Sequence, residues 1–431
     1  MNPMHRRKFL VRTTAAGTLL GLGGLLPAIR GAEAPSNRVA VGVMGVSTRG
    51  SELAKGFASL PGVEVAYVCD VDERNTSKTV EFVAQGGKQE RRARGIRDFR
   101  QILEDKDVDA LVIAAPDHWH APAAILACAA GKHVYLEKPC CHNPHEGELL
   151  VSAAGRHKRL VQHGTQRRSW PAMIEAVDKI RAGDIGRVLF AKAWYFGPRP
   201  TIGRGKSVPV PTWLDFNLWQ GPAPERPYRD NLVHYNWHWF WHWGTGELGN
   251  NAVHYLDLCR WAMGLEYPLK VTSSGGKYGN PDDDQETPDT LVTSYDFGAT
   301  TITWEQRSWA PRTSADPKPE VAFYGDKGVL EIVGSGYTVS DLKGKEIARG
   351  TGEGSNEVHL RNFVEAIRAG GRLNAEIGEG YTSALMCHLG NIAWRTGHTV
   401  HFDQTRGRIV NDKSAEQFWR REYRKGWEPK V

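Results

Sequence analysis

The chain has few cysteines, and none of them is spaced as a metal or redox motif. Six occur in 431 residues, at positions 69, 128, 140, 141, 259 and 387. No pair is separated by two residues, which excludes a zinc ribbon and a thioredoxin-type CxxC site. A chain of this length buries enough surface to fold without a disulfide scaffold. We therefore expect the cysteines to be thiols.

The chain also lacks a hydrophobic run long enough to span a bilayer. The apolar run at 15–26 is twelve residues long, whereas a membrane helix needs about 20. The run follows Arg6-Arg7-Lys8-Phe9-Leu10 and precedes Ala32-Glu33-Ala34, a pattern typical of a signal peptide. The paired arginines resemble a twin-arginine signal. We expect residues 1–34 to engage the twin-arginine translocation machinery, which would export the folded protein to the periplasm.

A strong excess of positive charge is missing as well. The formal net charge is +6. Five basic residues and one acidic residue lie within the first 34 positions, so the net charge of the rest is close to +2. This balance argues against a nucleic-acid partner.

Hydrophobic periodicity indicates two domains. Strand and helix patterns alternate in the first, over 37–163, and this predicts a doubly wound parallel sheet, the Rossmann type of α/β fold. The predicted strands are 38–44, 63–68, 110–114, 133–136 and 160–163, and the predicted helices are 51–59, 121–130 and 146–157. Residues 116–120 are predicted to be a loop. We find no internal repeat and no low-complexity linker.

From residue 164 onward the pattern predicts an α+β domain built on a large, mostly antiparallel sheet. It includes an irregular stretch from Gly197 to about Trp243 that is rich in proline and tryptophan. The predicted strands are 187–196, 270–274, 290–296, 300–307, 321–324 and 329–332, and the predicted helices are 172–182, 359–369 and 380–395.

A glycine-rich turn after the first strand is the candidate nucleotide site. Gly45-x-Ser47-x-x-Gly50, preceded by Gly42, approximates a dinucleotide fingerprint in which Ser47 replaces the middle glycine. Asp70 ends the second strand, where an acidic side chain binds the adenosine ribose hydroxyls and disfavours a 2′-phosphate. This favours NAD over NADP. Asp72 is a competing acid, and Arg74 keeps NADP open.

The segment Glu137-Lys138-Pro139, at the end of the fourth strand, completes a resemblance. Together with the glycine turn, Gly164-Thr165-Gln166-Arg167-Arg168 and Gly249-Asn250-x-x-x-His254-x-x-Asp257, it resembles the Gfo/Idh/MocA family of glucose-fructose oxidoreductases and inositol dehydrogenases. The resemblance covers nearly all of 37–431. It implies an NAD(P)-dependent oxidoreductase of sugars or polyols, assembled as a homo-dimer or homo-tetramer.

The resemblance also implies roles for individual residues. Lys138 is expected to contact both nicotinamide and substrate, and a lysine beside a cationic ring has a lowered pKa. Dehydrogenases of the family carry Asp-x-x-x-His on a helix; here Asn250 and His254 occupy those positions, on one helix face. The further candidates are Pro116, His118, His120 and Glu137 for the cofactor and Arg167, Trp237, His238, His242 and Asp257 for the substrate. For Asp257, capping or a salt bridge is an equal alternative.

The stretch from His234 to Trp243 alternates histidine or asparagine with aromatic residues. Interpreted as a strand, it places His234, Asn236, His238 and His242 on one face and the aromatics on the other. It is then a substrate wall, with tryptophan for sugar CH faces and histidine for hydroxyls. Plain packing is an alternative, and a zinc site at His238 and His242 would need a helix and a third ligand. We expect no metal.

Three functions remain open from the sequence. The first is a sugar or polyol oxidoreductase with a tightly bound, recycled NAD, since an exported enzyme has no NAD pool. The second is redox-neutral glycoside cleavage through a 3-keto sugar. The third is a non-catalytic sugar- or nucleotide-binding protein, which Ser47 and Asn250 favour and Lys138 and His254 oppose.

Overall fold

The computed structural model describes residues 38–87 and 89–431, so the predicted signal peptide at 1–34 lies outside the described residues. The N-terminal part forms a six-stranded, wholly parallel sheet. Its strands are β1 (Val39–Met44), β2 (Val63–Cys69), β3 (Arg94–Ile96), β4 (Ala110–Ile113), β5 (His133–Leu136) and β6 (Val161–His163). The order β3-β2-β1-β4-β5-β6 confirms the doubly wound Rossmann sheet.

Five helices connect these strands: α1 (Arg49–Ser59), α2 (Glu73–Gly86), α3 (Arg100–Glu104), α4 (Asp117–Ala129) and α5 (Pro144–His157). Both faces of the sheet are covered, because two separate apolar cores form. One contains Phe57 and Tyr135 and the other Phe99 and Trp119. Buried parallel strands explain the continuous apolar runs of β1 and β4.

The rest of the chain forms a ten-stranded sheet in the order β14-β13-β12-β11-β7-β10-β9-β8-β15-β16. Only β7 and β10 pair in parallel, and the other neighbours are antiparallel, which confirms the predicted mostly antiparallel sheet. The strands are β7 (Val188–Phe196), β8 (Lys270–Gly276), β9 (Thr290–Asp296), β10 (Thr301–Arg307), β11 (Val321–Gly325), β12 (Gly328–Val333), β13 (Gly336–Asp341), β14 (Glu346–Gly350), β15 (Val400–Asp403) and β16 (Arg408–Ile409).

This part of the chain also contains the helices α6 (Pro171–Ala182), α7 (Phe216–Gln220), α8 (Val253–Met263), α9 (Asn356–Ala369), α10 (Ile377–Thr396) and α11 (Lys413–Glu416). Of these, α6, α8 and α10 pack on one face of the large sheet. Along β10, Ile302, Trp304 and Gln306 are buried and alternate with half-buried residues, so a single face packs on the helices. None of the helices in the described part of the chain is both long and apolar enough to cross a membrane.

The two parts of the chain are not independent, because helices that follow residue 163 pack on the Rossmann part. Helix α9, far along the chain, packs on the Rossmann part: Phe363 lies 6.3 Å from Phe57 and 5.9 Å from Tyr135, between ring centroids. Helix α10 contacts both α5 and the large sheet. The two sheets therefore cannot move apart without exposing apolar surface.

Two local expectations are wrong. Residues 234–243 do not form a strand; a 3-10 turn at Asn236–Trp239 lies there, and the aromatic rings of 237–243 pack on one another and on Trp219. Residues 116–120 are not a loop: α4 begins at Asp117, directly after Pro116. Asn250 and His254 lie in one continuous helical stretch, as expected, but its first turn, Leu248–Ala252, is π-helical. The periodicity also missed α2, β3 and the strands β13 to β16.

Asp257 takes part in a buried ion pair and does not belong to a cavity wall. Its carboxylate accepts two hydrogen bonds from Arg168, at 2.8 and 2.9 Å, and one from Ser383 at 2.6 Å. The side chains of Arg168 and Asp257 are only 4% and 1% exposed. The salt bridge that the sequence left as an alternative is therefore the one the fold contains.

We expect Asp257→Ala to lower the free energy of unfolding by about 3–5 kcal/mol, because it removes the buried partner of the Arg168 guanidinium and leaves only the half-exposed Glu379, 3.2 Å away, as its counter-ion. Urea unfolding followed by tryptophan fluorescence measures this. The control is Glu346→Ala, which breaks an exposed pair with Arg349 and is expected to cost less than about 1 kcal/mol. Equal losses in the two variants would contradict the buried-pair interpretation.

Candidate active site

A cavity of about 460 Å³ lies where the carboxyl ends of the first sheet meet the second domain. Its wall runs from Asp70 at one end to His254 at the other. Ligands of doubly wound sheets bind at this edge. The first sheet contributes the loops after β1 to β5. The second domain contributes Gln166, Leu218, Trp219, His234, Tyr235, Trp237, His238, Asn250 and His254.

The glycine turn has the geometry of a phosphate-binding loop. Gly45 has φ +81°, and a Cβ there would lie 2.6 Å from the backbone nitrogen of Ala115. A Cβ on Gly50 would lie 1.8 Å from the carbonyl oxygen of Gly45. Both positions therefore require glycine, and Ser47 lies on the cavity wall between them. The first turn of α1 thus presents free backbone N–H groups, which suit a pyrophosphate.

Of the two candidate acids after β2, Asp70 faces the cavity. Its carboxylate accepts hydrogen bonds from the backbone nitrogens of Val46, at 2.7 Å, and Asp72, at 2.8 Å. Burial raises the pKa of Asp70, and these two donors oppose the rise. Asp72 is fully buried and accepts hydrogen bonds from Arg74. Arg74 is thus held by Asp72 rather than directed at the cavity.

Glu137 and Arg49 form an ion pair in the cavity wall, with 2.8 Å between Arg49 Nε and Glu137 Oε1. Burial opposes ionisation of Glu137, but the cations Arg49 and Lys138 outweigh it and lower its pKa. The pair joins the glycine turn to the end of β5. The space between this pair and Gly164 is small, since a Cβ on Gly164 would lie 2.8 Å from Glu137 Oε2.

Lys138 is directed at the second domain. Its Nζ donates to the carbonyl oxygen of Asn250 at 2.9 Å and to Asn250 Oδ1 at 3.1 Å. Burial lowers the pKa of Lys138, and the carboxylates of Glu137, Asp117 and Glu247 partly oppose this. The lysine is therefore closer to releasing a proton at neutral pH than a lysine in water.

His120 links the loop after β4 to the loop after β5. One ring nitrogen lies 2.5 Å from the carbonyl oxygen of Pro139 and the other 2.7 Å from that of Ala115. His120 and Pro116 both line the cavity. His118 lies behind the wall, fully buried, with Nε2 2.9 Å from the carbonyl oxygen of Trp219.

His254 lies at the Lys138 end of the cavity. Its Nδ1 is buried without a hydrogen-bond partner among the described residues. Burial lowers the pKa of His254 well below its usual value, and the nearby cations Lys138 and Arg167 add to the effect. The imidazole is therefore neutral at pH 7 and able to accept a proton.

Aromatic side chains close the cavity on the second-domain side. The ring of His238 stacks on Trp237, with 3.6 Å between centroids, and Nδ1 of His238 lies 2.6 Å from the carbonyl oxygen of Tyr235. Burial lowers the pKa of His238 to about 3, so this ring is also neutral. The substrate-wall hypothesis thus places Trp237 and His238 in the cavity, although the backbone is not a strand.

Five of the candidate residues besides His118 do not line the cavity, and each has another contact. Gly42 lies inside β1, facing Ile102, and Gly50 packs against the carbonyl oxygen of Gly45. Arg167 donates to Glu320 at 2.9 Å, His242 lies 2.7 Å from the carbonyl oxygen of Pro224, and Asp257 pairs with Arg168. His238 and His242 therefore do not face each other. Among residues 38–87 and 89–431, no cluster of His, Cys, Asp and Glu is arranged to hold a metal ion.

The sequence reasoning missed several cavity residues, including Arg49, Asp117, Gln166 and Tyr235. Arg49 carried a signal, since it stands inside the glycine fingerprint. Gln166 stands beside the candidate Arg167, one residue away in the chain. Asp117 and Tyr235 carried none, because only the packing of α4 against residues 234–245 brings them to the wall; Thr245 donates to Asp117 Oδ2 at 2.6 Å.

Comparison with known families identifies the two domains. The NAD-binding Rossmann domain of the GFO_IDH_MocA oxidoreductases matches residues 39–165, and the C-terminal alpha/beta domain of the same family matches residues 193–307 and 338–429. The chain belongs to the Gfo/Idh/MocA oxidoreductase family. Its first domain is therefore a Rossmann domain of the NAD-binding kind.

Solved structures share this fold. The aldose-aldose oxidoreductase of Caulobacter crescentus, complexed with glycerol, aligns with a TM-score of 0.66 at 18% identity, over 85% of this chain and 100% of that one. The WlbA dehydrogenase of Bordetella pertussis, complexed with NADH and UDP-GlcNAcA, aligns with a TM-score of 0.65 at 18% identity, over 85% and 99%.

Similar sequences are named as glycosyl hydrolase family 109 proteins. One from Saccharopolyspora erythraea is 31% identical over 212 residues, 45% of this chain and 46% of that protein. Another from Shewanella pealeana is 29% identical over 172 residues, 39% of this chain and 38% of that protein. The matched stretches span less than half the length of these relatives.

We expect Lys138→Met to reduce turnover by about 10²–10⁴-fold, the usual contribution of a positioned proton-transfer group, while the bound cofactor content stays the same. Turnover and the nucleotide released on denaturation are measured on the same preparation. Lys179→Met, on the exposed side of α6, is the matched control. A Lys138→Met protein with full turnover would contradict a catalytic role.

Proposed function

We propose that the protein is an NAD-dependent oxidoreductase acting on a CH–OH group of a sugar, polyol or sugar derivative. The observation that carries the proposal is the placement of Lys138, Asn250 and His254 at one end of a cavity whose other end is Asp70 and the glycine turn. A dinucleotide and a small polar substrate would meet between these ends.

The residues at the nucleotide end fit NAD better than NADP. Asp70 presents a carboxylate where the adenosine ribose would lie, and a 2′-phosphate would be repelled there. Arg74, which would favour that phosphate, is paired with Asp72 and lies 3.5 Å from the Trp213 ring centroid. The turn that would hold the pyrophosphate requires glycine at 45 and 50, because a side chain at either position would collide with backbone.

Bound NAD would supply a hydride acceptor. The protein's own side chains would then move the proton and orient the substrate. Neutral His254 accepts the proton of the substrate hydroxyl, and Lys138 holds Asn250 and presents its ammonium to the same oxygen. Asn250 bonds the substrate without the charge that an aspartate would supply, so Glu137, Asp117 and Glu247 are the carboxylates that offset Lys138. Trp237 and His238 present an apolar face and a neutral ring to the sugar.

Export would require the cofactor to remain bound and be recycled, because NADH released in the periplasm has no reoxidising partner. The predicted twin-arginine signal supports this part of the proposal, since its pathway carries proteins that are already folded. The uncovered face of the large sheet, with Val292 and Tyr324 exposed, supports self-association as a homo-dimer or homo-tetramer.

A second function, glycoside cleavage without net redox change, is favoured by the glycosyl hydrolase family 109 relatives. Hydride transfer from C3 of the sugar yields a 3-keto sugar and acidifies the C2 proton. Loss of that proton expels the aglycone, water adds to the alkene, and the hydride returns to C3. The cycle consumes one water and leaves NAD unchanged, which suits a resident cofactor.

The nucleotide content of the purified protein tests the shared core of both functions. Protein prepared without added nucleotide, then denatured, should release close to one NAD(H) per chain, identified by mass spectrometry. Aldose pairs and glycosides are then supplied separately. Sugar oxidation coupled to reduction of a second sugar supports the oxidoreductase, and aglycone release without NADH supports cleavage. An empty protein that also fails to bind added NAD would contradict both.

The pH dependence of the reaction follows from the environment of His254. Because its pKa is lowered, the proton-accepting form persists below pH 6.5, the usual histidine value. We expect kcat/KM to stay level as pH falls from 7 to 6 and to decline only at lower pH, as the imidazole becomes protonated. A pH–rate profile measures this, and an acid limb centred above 6.5 would contradict the assignment.

A further inference from the structure

The irregular segment at residues 208–238, here the cover segment, is attached by its backbone to the nucleotide-binding loop. Leu214 forms an antiparallel bridge with Asp72. The backbone nitrogen of Asp215 donates to the carbonyl oxygen of Val71 at 2.9 Å, and that of Glu73 donates to the carbonyl oxygen of Trp213 at 3.4 Å. The loop after β2 is therefore an edge on which a remote part of the chain is docked.

Side-chain contacts at Asp72 also hold the cover segment against the loop after β2. This carboxylate is fully buried. It accepts from Nη2 of Arg74 at 2.7 Å and from a ring nitrogen of His234 at 2.9 Å. The guanidinium of Arg74 lies 3.5 Å from the ring centroid of Trp213, and His234 packs beside the same ring at 5.9 Å. Two points of the cover segment thus meet at the Asp72–Arg74 pair: His234 contacts the acid and Trp213 contacts the guanidinium.

The backbone of Asp72 also contacts Asp70, at the nucleotide end of the cavity. Its N–H donates to Oδ1 of Asp70 at 2.8 Å, which aims the Asp70 carboxylate at the cavity. The cover segment supplies the opposite wall at this end, with Leu218, Trp219 and His234 on the lining. Detaching the segment would therefore open the wall and release one constraint on Asp70.

We propose that Asp72 and His234 form a clasp that positions the cover segment over the adenosine end of the bound dinucleotide and so retains it. The inference rests on the proposed function, since it concerns the same site, and it assigns Asp72 and His234 as positioning residues. A dinucleotide leaving this cavity would have to displace the cover segment, and the clasp sets how often the segment detaches.

The rate of cofactor exchange tests the clasp. Protein with its resident NAD is mixed with isotopically labelled NAD, and the labelled fraction bound is followed by mass spectrometry. We expect His234→Ala to exchange at least about tenfold faster, the equivalent of about 1.4 kcal/mol, and His234→Gln to restore slow exchange because its amide can still donate to Asp72. The matched control is His398→Ala, which breaks an exposed histidine–aspartate pair with Asp412 and should leave exchange unchanged.

Hydrogen–deuterium exchange supplies a readout that is independent of turnover. The backbone amides of 208–238 should lose protection in His234→Ala while those of α10 do not. If His234→Ala does not fold, Trp213→Leu tests the same junction from its other side. Unchanged exchange of NAD in a folded His234→Ala or Trp213→Leu protein would overturn the clasp. The proposed function fails separately, when the wild-type protein neither holds nor binds NAD.

Discussion

The hydrogen bonds from Lys138 to Asn250 are the constraint on which the site depends. Lys138 ends a strand of the first sheet, and Asn250 belongs to the turn that begins α8 in the second domain. The lysine is largely removed from water, and an ammonium there is costly unless it is paired. Its two acceptors and the surrounding carboxylates of Glu137, Asp117 and Glu247 offset that cost. The Lys138 end of the cavity therefore exists only when both domains are in contact.

Other charged side chains with a buried partner are also paired. Arg49 pairs with Glu137, Arg168 with Asp257, and Asp72 with Arg74. Each pair joins segments that the chain keeps apart or fixes a turn at the cavity edge. In contrast, His254 and His238 are half-buried, their pKa values are lowered, and they stay neutral at pH 7. The site thus combines held cations with neutral imidazoles, an arrangement suited to moving a proton while a hydride transfers.

The first domain was the part most predictable from sequence. Its strands are buried on both faces and short, so apolar runs bounded by glycine and proline locate β1, β2, β4, β5 and β6 well. The edge strand β3 and the helix α2 were missed because their residues are largely exposed and polar. Residues 234–243 misled the prediction, since alternation of aromatic and polar residues is typical of strands, whereas here the aromatics pack around a compact 3-10 turn.

By itself, the sequence determined the Rossmann fold class and the glycine turn, because local periodicity and short motifs carry that information, and the family resemblance singled out Lys138, Asn250 and His254. Only the tertiary structure decided which acid faces the cavity, since Asp70 and Asp72 are two residues apart and differ by what packs on them. It also placed Asp257 in a buried pair, moved Arg167 and His242 away from the cavity, and docked 208–238 on the nucleotide loop. Those outcomes depend on contacts between residues distant in the chain, which no local pattern encodes.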